Sequence, residues 1–496
     1  MKGFGDKKIK NKPTPRELVK EKLIKRAFNY FEEGNFHYSI QCYEDCLRKG
    51  FQDPELLSNY GIVLFQSGNT KKAIDIFEKS IKIYPRDPDL YINLSNIYKL
   101  TGNLNYAENL IKKSLNLKPN SNIALNNLTG ILITKKQFLE AKRYALLSIN
   151  YDQNNSNNYY NLGVIYANLD HFQESIESFK KAVIYNPLNY EANLNLGAML
   201  LKLSQFEKAK KYIEKSLTLN PNSYEAYFNL GQIALYTEKS ELAESYFIKS
   251  LSFCQNNTEI FKFLGIAQFM NSKDHALENI NKSIALSSAK NISNVLKRIF
   301  EVENKSNTKK IQTFKTPYEK FGNKPVLLYK TVDKELLKIL YKKNTSDLNT
   351  VYNSNFSGNA IGSNYRLFED YDPILELLKN DLIKLTSNYL NSDIFIEDSF
   401  FRILEGSGEV KKHIHLDTID KLPKLNLYKY KFSLVYYLIT GDDDCSEPGY
   451  LTFYNPDDKI LPKPGMIILF PSDRPHSVLY NGKSDRMILS INFYSY

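Results

Sequence analysis

The sequence has few cysteines and no long apolar run, and each of these shortages excludes a class of protein. Among 496 residues there are four cysteines, and only Cys42 and Cys46 lie close together. Neither a disulfide framework nor a zinc-finger spacing is therefore present, which suits a reducing cytoplasm. No stretch reaches the roughly 18 consecutive apolar residues of a membrane span. The basic N-terminal residues lack an apolar segment behind their lysines, so no secretory signal is expected.

Positive charge is concentrated at the N-terminus. The net charge is +11, and residues 1–18 form a basic tail. Such a tail can contact nucleic acid, acidic proteins or anionic lipid. Because no basic motif interleaved with aromatic residues follows, we interpret it as a solvated tail and expect no nucleic-acid partner.

A repeat with a period of about 34 residues runs from residue 19 to about residue 290. Small residues recur at one phase of it: Gly61, Ser95, Thr129, Gly163, Gly197, Gly231 and Gly265. Each unit contains two amphipathic patterns separated by a polar break, which predicts a pair of helices. The pattern resembles the tetratricopeptide repeat, with about eight units. One unit cannot bury its apolar face alone, so an all-α solenoid with a groove is predicted.

Asparagine recurs with the same period, two positions before the small residue. The members of this row are Asn59, Asn93, Asn127, Asn161, Asn195 and Asn229. An asparagine side chain can pair with both the N–H and the C=O of an extended peptide. The row resembles the asparagine ladder in the groove of O-linked N-acetylglucosamine transferases, which implies a protein or peptide partner. Alternatively, asparagine is simply tolerated at these groove positions, and both interpretations stay open.

A second domain is predicted after a linker at residues 291–324. Residues 333–343 and 372–390 have helical patterns. Short segments rich in β-branched and aromatic residues follow, bounded by turn residues. They are SFFRILEG, KFSLVYYLIT, GYLTFYN, GMIILFP, HSVLYN and RMILSINFY. Their even spacing predicts a jelly roll or small barrel at residues 325–496.

Three of the six histidines, His413, His415 and His476, lie within this second predicted domain. His415 and Asp417 are predicted to share one face of a strand, because side chains at i and i+2 point the same way. Two histidines and one carboxylate form a facial triad that suits Fe(II). Arg486, which follows His476 at the start of the last predicted strand, could pair bidentately with a carboxylate.

With these elements in order, residues 325–496 resemble the Fe(II)/2-oxoglutarate dioxygenases, in particular the prolyl hydroxylase branch. The resemblance includes Gly406 and Gly408 before the histidines, a Val-Tyr-Tyr-Leu strand, a Gly-x-Leu strand and Leu-Phe-Pro-Ser before His476. It implies a double-stranded β-helix, jelly-roll or cupin-like, with flanking helices. Two departures, Leu404 where relatives often have tyrosine and Ile488 where many have serine, leave further cosubstrate contacts undefined.

The resemblance also implies the cofactors and a reaction. His415, Asp417 and His476 would hold Fe(II), and Arg486 with the hydroxyl of Tyr437 would bind the far carboxylate of 2-oxoglutarate. The reaction would be O2-dependent hydroxylation of a protein or peptide recruited by the solenoid, with ascorbate as an optional reductant.

Two other functions remain open. His413, His415 and His476 could form the three-histidine site of a metal cupin that does not use 2-oxoglutarate. The barrel could also be inactive and form part of a scaffold protein.

Single residues also have alternative interpretations. Tyr437 could be an ordinary core residue, and Arg486 could form a salt bridge to Asp485 or Asp473.

Overall fold

The computed structural model describes residues 14–287, 291–306, 322, 324–347, 360–362, 366–369, 372–404 and 408–496. The chain forms two compact units. One comprises the residues up to Asn168 together with Glu177–Asn186, and the other comprises Leu169–Ile176 together with Pro187–Tyr496. Gly406, most of the basic tail and much of the predicted linker lie outside the described residues.

The predicted helical repeats are present between residues 15 and 286, a range described without a gap. Sixteen helices follow one another, two for each of the eight repeats. From α3 onward, the first helices of successive hairpins begin one repeat period apart. Side chains such as Asp53 and Ser223 accept hydrogen bonds from backbone N–H groups at these starts and cap the helices. The helices are α1 Pro15–Glu32, α2 Phe36–Arg48, α3 Pro54–Gln66, α4 Thr70–Ile83, α5 Pro88–Leu100, α6 Leu104–Leu117, α7 Asn122–Thr134, α8 Phe138–Tyr151, α9 Ser156–Asn168, α10 Phe172–Tyr185, α11 Tyr190–Lys202, α12 Phe206–Leu219, α13 Tyr224–Tyr236, α14 Ser240–Phe253, α15 Thr258–Met270 and α16 Ala276–Leu286.

The small residue of the repeat brings the two helices of a hairpin together. A Cβ atom on Gly61 would lie 2.4 Å from the ring of Phe77, and one on Gly231 would lie 2.4 Å from the ring of Phe247. Both rings are fully buried. The prediction that a small residue at this position permits close approach is confirmed.

The C-terminal part contains three more α-helices, three short 3₁₀ helices and ten strands within its described residues. Part of the predicted linker is helical, since α17 spans Ile292–Ser306 and packs against α16. The remaining elements are β1 Val326–Tyr329, α18 Lys334–Asp347, β2 Ala360–Gly362, α19 Pro373–Leu390, β3 Ile394–Leu404, β4 Gly408–His413, β5 Lys431–Ile439, β6 Pro448–Phe453, β7 Asp458–Ile460, β8 Met466–Pro471, β9 His476–Tyr480 and β10 Arg486–Ser495.

The strands form two antiparallel sheets. The larger has the order β1-β8-β5-β10-β3-β2, and the smaller has the order β4-β9-β6-β7. Alternation along β5 sends Leu434 and Tyr436 to an apolar layer shared with α18 and α19. Val435 and Tyr437 point to the opposite face, where they pack with residues of the smaller sheet. The predicted fold class, an all-α repeat solenoid followed by a double-stranded β-helix with flanking helices, is confirmed.

A third apolar core joins the last repeats to the strands within the second unit. It contains residues of α13 to α17 together with Leu422, Leu425, Leu427, Tyr430 and Tyr494. No helix in the described part of the chain is long and apolar enough to cross a membrane.

Candidate metal centre

Three histidines, two at the ends of neighbouring strands of the smaller sheet and one just after a strand, converge at one point. His413 ends β4, His415 follows it, and His476 begins β9, which pairs with β4 at His413. A nitrogen from each ring lies within 4.8 Å of the other two, and Nε2 of His415 is 3.2 Å from Nε2 of His476. Within the described ranges this is the one cluster of such side chains that could hold a metal ion.

Two of the three rings, His413 and His476, are held in the form that a metal requires. Nδ1 of His413 is 2.8 Å from the carbonyl of Lys411, and Nδ1 of His476 is 3.1 Å from the carbonyl of Arg474. An N–H at Nδ1 donated to a carbonyl leaves the lone pair of Nε2 free for a ligand. Burial lowers the pKa of His476 to about 3 and holds the pKa of His415 well below its usual value. Neutral imidazoles are therefore favoured at this point.

Asp417 lies after the strand and its carboxylate faces a lysine. Since β4 ends at His413, the expectation that His415 and Asp417 share a strand face is wrong. The Oδ2 atom of Asp417 is 3.2 Å from Nζ of Lys431, and the Asp417 side chain is 67% exposed. Among the predicted ligands, the structure brings His415 and His476 together with His413, while Asp417 is paired with Lys431.

Polar residues of the larger sheet support His415 from behind. Nδ2 of Asn492 lies 3.2 Å from Nδ1 of His415 and donates to Asp398 at 2.9 Å. The hydroxyl of Ser433 donates to Oδ1 of Asn492 at 2.7 Å, and the backbone N–H of His415 donates to the carbonyl of Ser472 at 2.8 Å. The Asn492 side chain thus contacts the His415 ring at Nδ1 and restrains its orientation.

Arg486 places a buried cation on the inner face of the larger sheet. Its side chain is 1% exposed, and Nη1 donates to the carbonyl of Pro448 at 3.0 Å. Its Nη2 atom is buried and has no hydrogen-bond partner among the described residues. The guanidinium carbon lies 5.2 Å from the ring centre of Tyr437 and 5.9 Å from that of Tyr480. A buried guanidinium with an unused donor is costly unless an anion pairs with it.

Tyr437 and Gly449 shape the space around this guanidinium. Tyr437 is buried, and burial raises the pKa of its hydroxyl although Arg486 acts in the opposite direction. A Cβ atom at Gly449 would lie 1.5 Å from Nη1 of Arg486, and the residue has φ of +85°. Only glycine accommodates both the conformation and the contact.

The six asparagines of the repeat row are all partly buried. Nδ2 of Asn127 donates to Asn96 at 2.9 Å, and Nδ2 of Asn161 donates to Asn126 at 3.1 Å. Asn93 likewise donates to Ser58. Some donors of the row are thus used within the solenoid, and its role in peptide binding stays a prediction.

Sequence reasoning missed Asp398, Asp420 and Lys431. Asp420 is fully buried and the Lys431 side chain is 1% exposed. The available signal was Lys431 itself, a charged residue at the start of the otherwise apolar strand KFSLVYYLI.

Family models match both halves of the chain. A model of the 2OG-Fe(II) oxygenase superfamily matches residues 401–494, which include the three histidines and Arg486. Models of the tetratricopeptide repeat match residues 25–88, 64–132, 156–189, 190–223 and 212–245. The chain is a tetratricopeptide-repeat protein with a 2OG-Fe(II) oxygenase domain. This oxygenase domain contains all the strands from β4 to β9.

Solved structures similar to this tetratricopeptide-repeat protein include other repeat proteins. A tetratricopeptide repeat protein from Parabacteroides merdae is 18% identical, covers 51% of this chain and 99% of its own, and has a TM-score of 0.41. The Cut9–Hcn1 hetero-tetramer of APC/C is 14% identical over 56% of this chain and 55% of its own, with a TM-score of 0.46. PilF of Pseudomonas aeruginosa is 20% identical, over 42% of this chain and 95% of its own, with a TM-score of 0.39. No curated protein matches the sequence.

Proposed function

We propose that this protein is an Fe(II)/2-oxoglutarate-dependent hydroxylase of the prolyl-hydroxylase-like type, acting on a protein or peptide recruited by its repeats. The observation that carries the proposal is the buried guanidinium of Arg486, whose Nη2 atom has no partner among the described residues. A dicarboxylate cosubstrate supplies the anion that this group lacks.

The residues at the histidine cluster fit a divalent metal. One nitrogen atom from each of three neutral imidazoles lies within 4.8 Å of the other two, and Asp417 lies two residues after His415. In this proposal His415, Asp417 and His476 hold Fe(II), which suits such a triad. With 2-oxoglutarate and O2, the bound iron supplies the oxidising chemistry that hydroxylates a substrate C–H bond.

The remaining side chains bind and orient. Arg486 fixes the far carboxylate of 2-oxoglutarate through its fork of donors, and the Tyr437 hydroxyl beside it supplies a further hydrogen bond. Because burial raises the pKa of Tyr437, this hydroxyl keeps its proton and acts as a donor. Asn492 holds the His415 ring, and the apolar residues Val435 and Phe470 exclude water from the inner face.

A second candidate is a three-histidine metal cupin, in which His413 replaces Asp417 as a ligand. The clustering of His413 with His415 and His476 favours it. It leaves the buried Arg486 without a purpose, which is why we prefer the first candidate.

Anaerobic calorimetric titration of 2-oxoglutarate into the Fe(II)-loaded protein tests the proposal. We expect binding that Arg486→Ala and His476→Ala both abolish. Arg48→Ala is the matched control, because Arg48 is an exposed arginine on α2, and it should leave binding unchanged. Iron binding without 2-oxoglutarate binding would favour the three-histidine cupin instead.

A further inference from the structure

The segment from Asp417 to Lys431, here called the bridging segment, connects β4 to β5 and faces two parts of the second unit. Asp417 at its start lies two residues beyond His415. The short 3₁₀ helices Ile419–Lys421 and Leu427–Tyr430 lie within it. Its structure therefore decides where the carboxylate of Asp417 is placed.

On the side of the metal centre, buried charges fix the start of this segment. The Asp417 N–H donates to Oδ2 of Asp420 at 2.8 Å, and Nζ of Lys431 donates to the same oxygen at 2.7 Å. Tyr494 donates its hydroxyl to Oδ1 of Asp420 at 2.6 Å. Lys431 also pairs with Glu397. Asp420 is thus held by three donors and in turn holds the backbone of Asp417.

On the other side, the bridging segment packs against the last repeats. Leu422, Leu425 and Leu427 belong to the apolar core formed by α13 to α17. Nζ of Lys424 donates to the carbonyl of Met270, the last residue of α15, at 2.6 Å. A lysine at a helix C-terminus is favourably placed, because the unpaired carbonyls there carry partial negative charge.

Helix α13 lies beside the same charges. Tyr236, its last residue, packs against the shared core. Its hydroxyl pKa is raised first by burial and then by the negative charges of Asp417, Glu259 and Asp420. A residue of the repeats therefore experiences the field of the predicted metal ligand.

We propose that the last repeats hold the backbone of Asp417 where its carboxylate can reach the metal, with Asp420 and Lys431 as positioning residues. The inference rests on the proposed function, because it takes Asp417 as a ligand. Lys431 pairs with Asp420 and Glu397 as well as Asp417, so it keeps ionic partners when Asp417 turns to a metal. The repeats are then a structural part of the metal centre as well as a recruiting surface.

Titration of Co(II) into the metal-free full-length protein tests this, with calorimetric affinity and the d–d absorption spectrum as readouts. The variants are Asp420→Asn, which removes the buried charge, and Leu425→Ala, which weakens the packing of the bridging segment against the repeats. The reference is Asp417→Ala. Two controls are Asp443→Asn, an exposed loop carboxylate, and Gly61→Ala, which strains a hairpin of the other unit.

We expect Asp420→Asn and Leu425→Ala to weaken Co(II) binding at least about tenfold and to shift the spectrum toward that of Asp417→Ala, while both controls match the wild type. The tenfold loss corresponds to about 1.4 kcal/mol. Wild-type affinity and spectrum in Asp420→Asn would overturn the proposal, even if Leu425→Ala fails to fold. Wild-type binding by Asp417→Ala would overturn it as well. Wild-type binding by Asp417→Ala would also count against Asp417 as an iron ligand in the proposed function, whereas wild-type binding by Asp420→Asn would leave that function untouched. Titration of 2-oxoglutarate against Arg486→Ala tests the proposed function separately.

Discussion

At the scale of single residues, the most informative group is a cation that is buried without a complete set of partners. Arg486 keeps one donor unused in the part of the chain that the structure describes. Removing one partner of a buried charge pair typically costs about 3–5 kcal/mol, so a buried arginine without its anion lowers the stability of the folded protein. We expect the same unpaired charge to raise the affinity of the site for an anionic ligand.

Arg486→Met therefore should have opposite effects with and without cosubstrate. The metal-free variant should melt at the same temperature as the wild type or higher, because methionine needs no counter-ion. With Mn(II) present, 2-oxoglutarate at about 100 times its Kd should stabilise the wild type by about 2.7 kcal/mol and leave the variant unchanged. Differential scanning fluorimetry measures both. Equal stabilisation of both proteins by 2-oxoglutarate would contradict the role of Arg486.

Asp398 predicts a pH dependence of stability. Burial raises its pKa to about 6, although hydrogen bonds from Asn492 lower it, whereas an unfolded aspartate has a pKa of about 3.9. Between about pH 4 and pH 6, Asp398 thus keeps its proton in the folded protein and has lost it in the unfolded chain. The stabilisation is fully present below about pH 4 and is lost as the pH rises through about 6.

Asp398→Asn should remove this slope, which is on the order of 1–3 kcal/mol. The difference in melting temperature between pH 5 and pH 7.5 should shrink in the variant. Asp442→Asn is the control, because hydrogen bonds from Ser484 and the Lys483 N–H lower the pKa of Asp442, and its contribution is instead lost at acid pH. An unchanged slope in Asp398→Asn would show that Asp398 is ionised in the folded protein.

Single residues also show which parts of the candidate site could be predicted from the sequence alone. The spacing of His415, His476 and Arg486 sufficed to locate the candidate site, because each lies at the edge of a recognisable strand. The end of β4 at His413 and the pairing of Asp417 with Lys431 depend on contacts between segments that lie far apart in sequence. Glu397 and Tyr494, which complete that charge cluster, show no local pattern.

At the scale of elements, the helices were the most predictable feature, because their period is repeated in the sequence. The close contact at Gly61 and Phe77 follows from that period, since the two residues occupy fixed places in one hairpin. The helix Ile292–Ser306 was harder to predict from the sequence. It caps the repeats with a sequence that leaves the period of the repeat, and its apolar residues Val295 and Phe300 are buried by tertiary contacts.

A pair of glycine substitutions tests the packing of the hairpins. Gly61→Ala should destabilise, by about 1–3 kcal/mol, because its Cβ would lie 2.4 Å from the fully buried Phe77 ring. Gly130→Ala, in α7, should be neutral or stabilise by up to about 1 kcal/mol, since its Cβ would meet only the end of the Lys99 side chain at 3.1 Å. Urea unfolding followed by circular dichroism compares them. Equal effects of the two substitutions would show that the hairpin contact does not govern stability.

At the scale of the second unit, the oxygenase domain and the last repeats share one core. Leu422, Leu425, Leu427 and Tyr494 pack among residues of α13 to α17, and a domain boundary placed between them would expose this surface. Each fully buried leucine that becomes exposed forfeits about 1.5–3 kcal/mol. Since whole domains are stable by only about 5–15 kcal/mol, losing several such contacts is decisive.

Two truncated chains should therefore behave differently. A fragment of residues 187–496 keeps the shared core and should give a cooperative thermal transition and dispersed amide signals in NMR spectra. A fragment of residues 325–496, which keeps every strand, should aggregate or unfold, because the seat of Leu425 and the carbonyl partner of Lys424 are gone. Adding Leu425→Glu and Leu427→Glu to the shorter fragment should improve its solubility without restoring metal affinity. A shorter fragment that folds and binds Co(II) as the full chain does would show that the strands position Asp417 without the repeats.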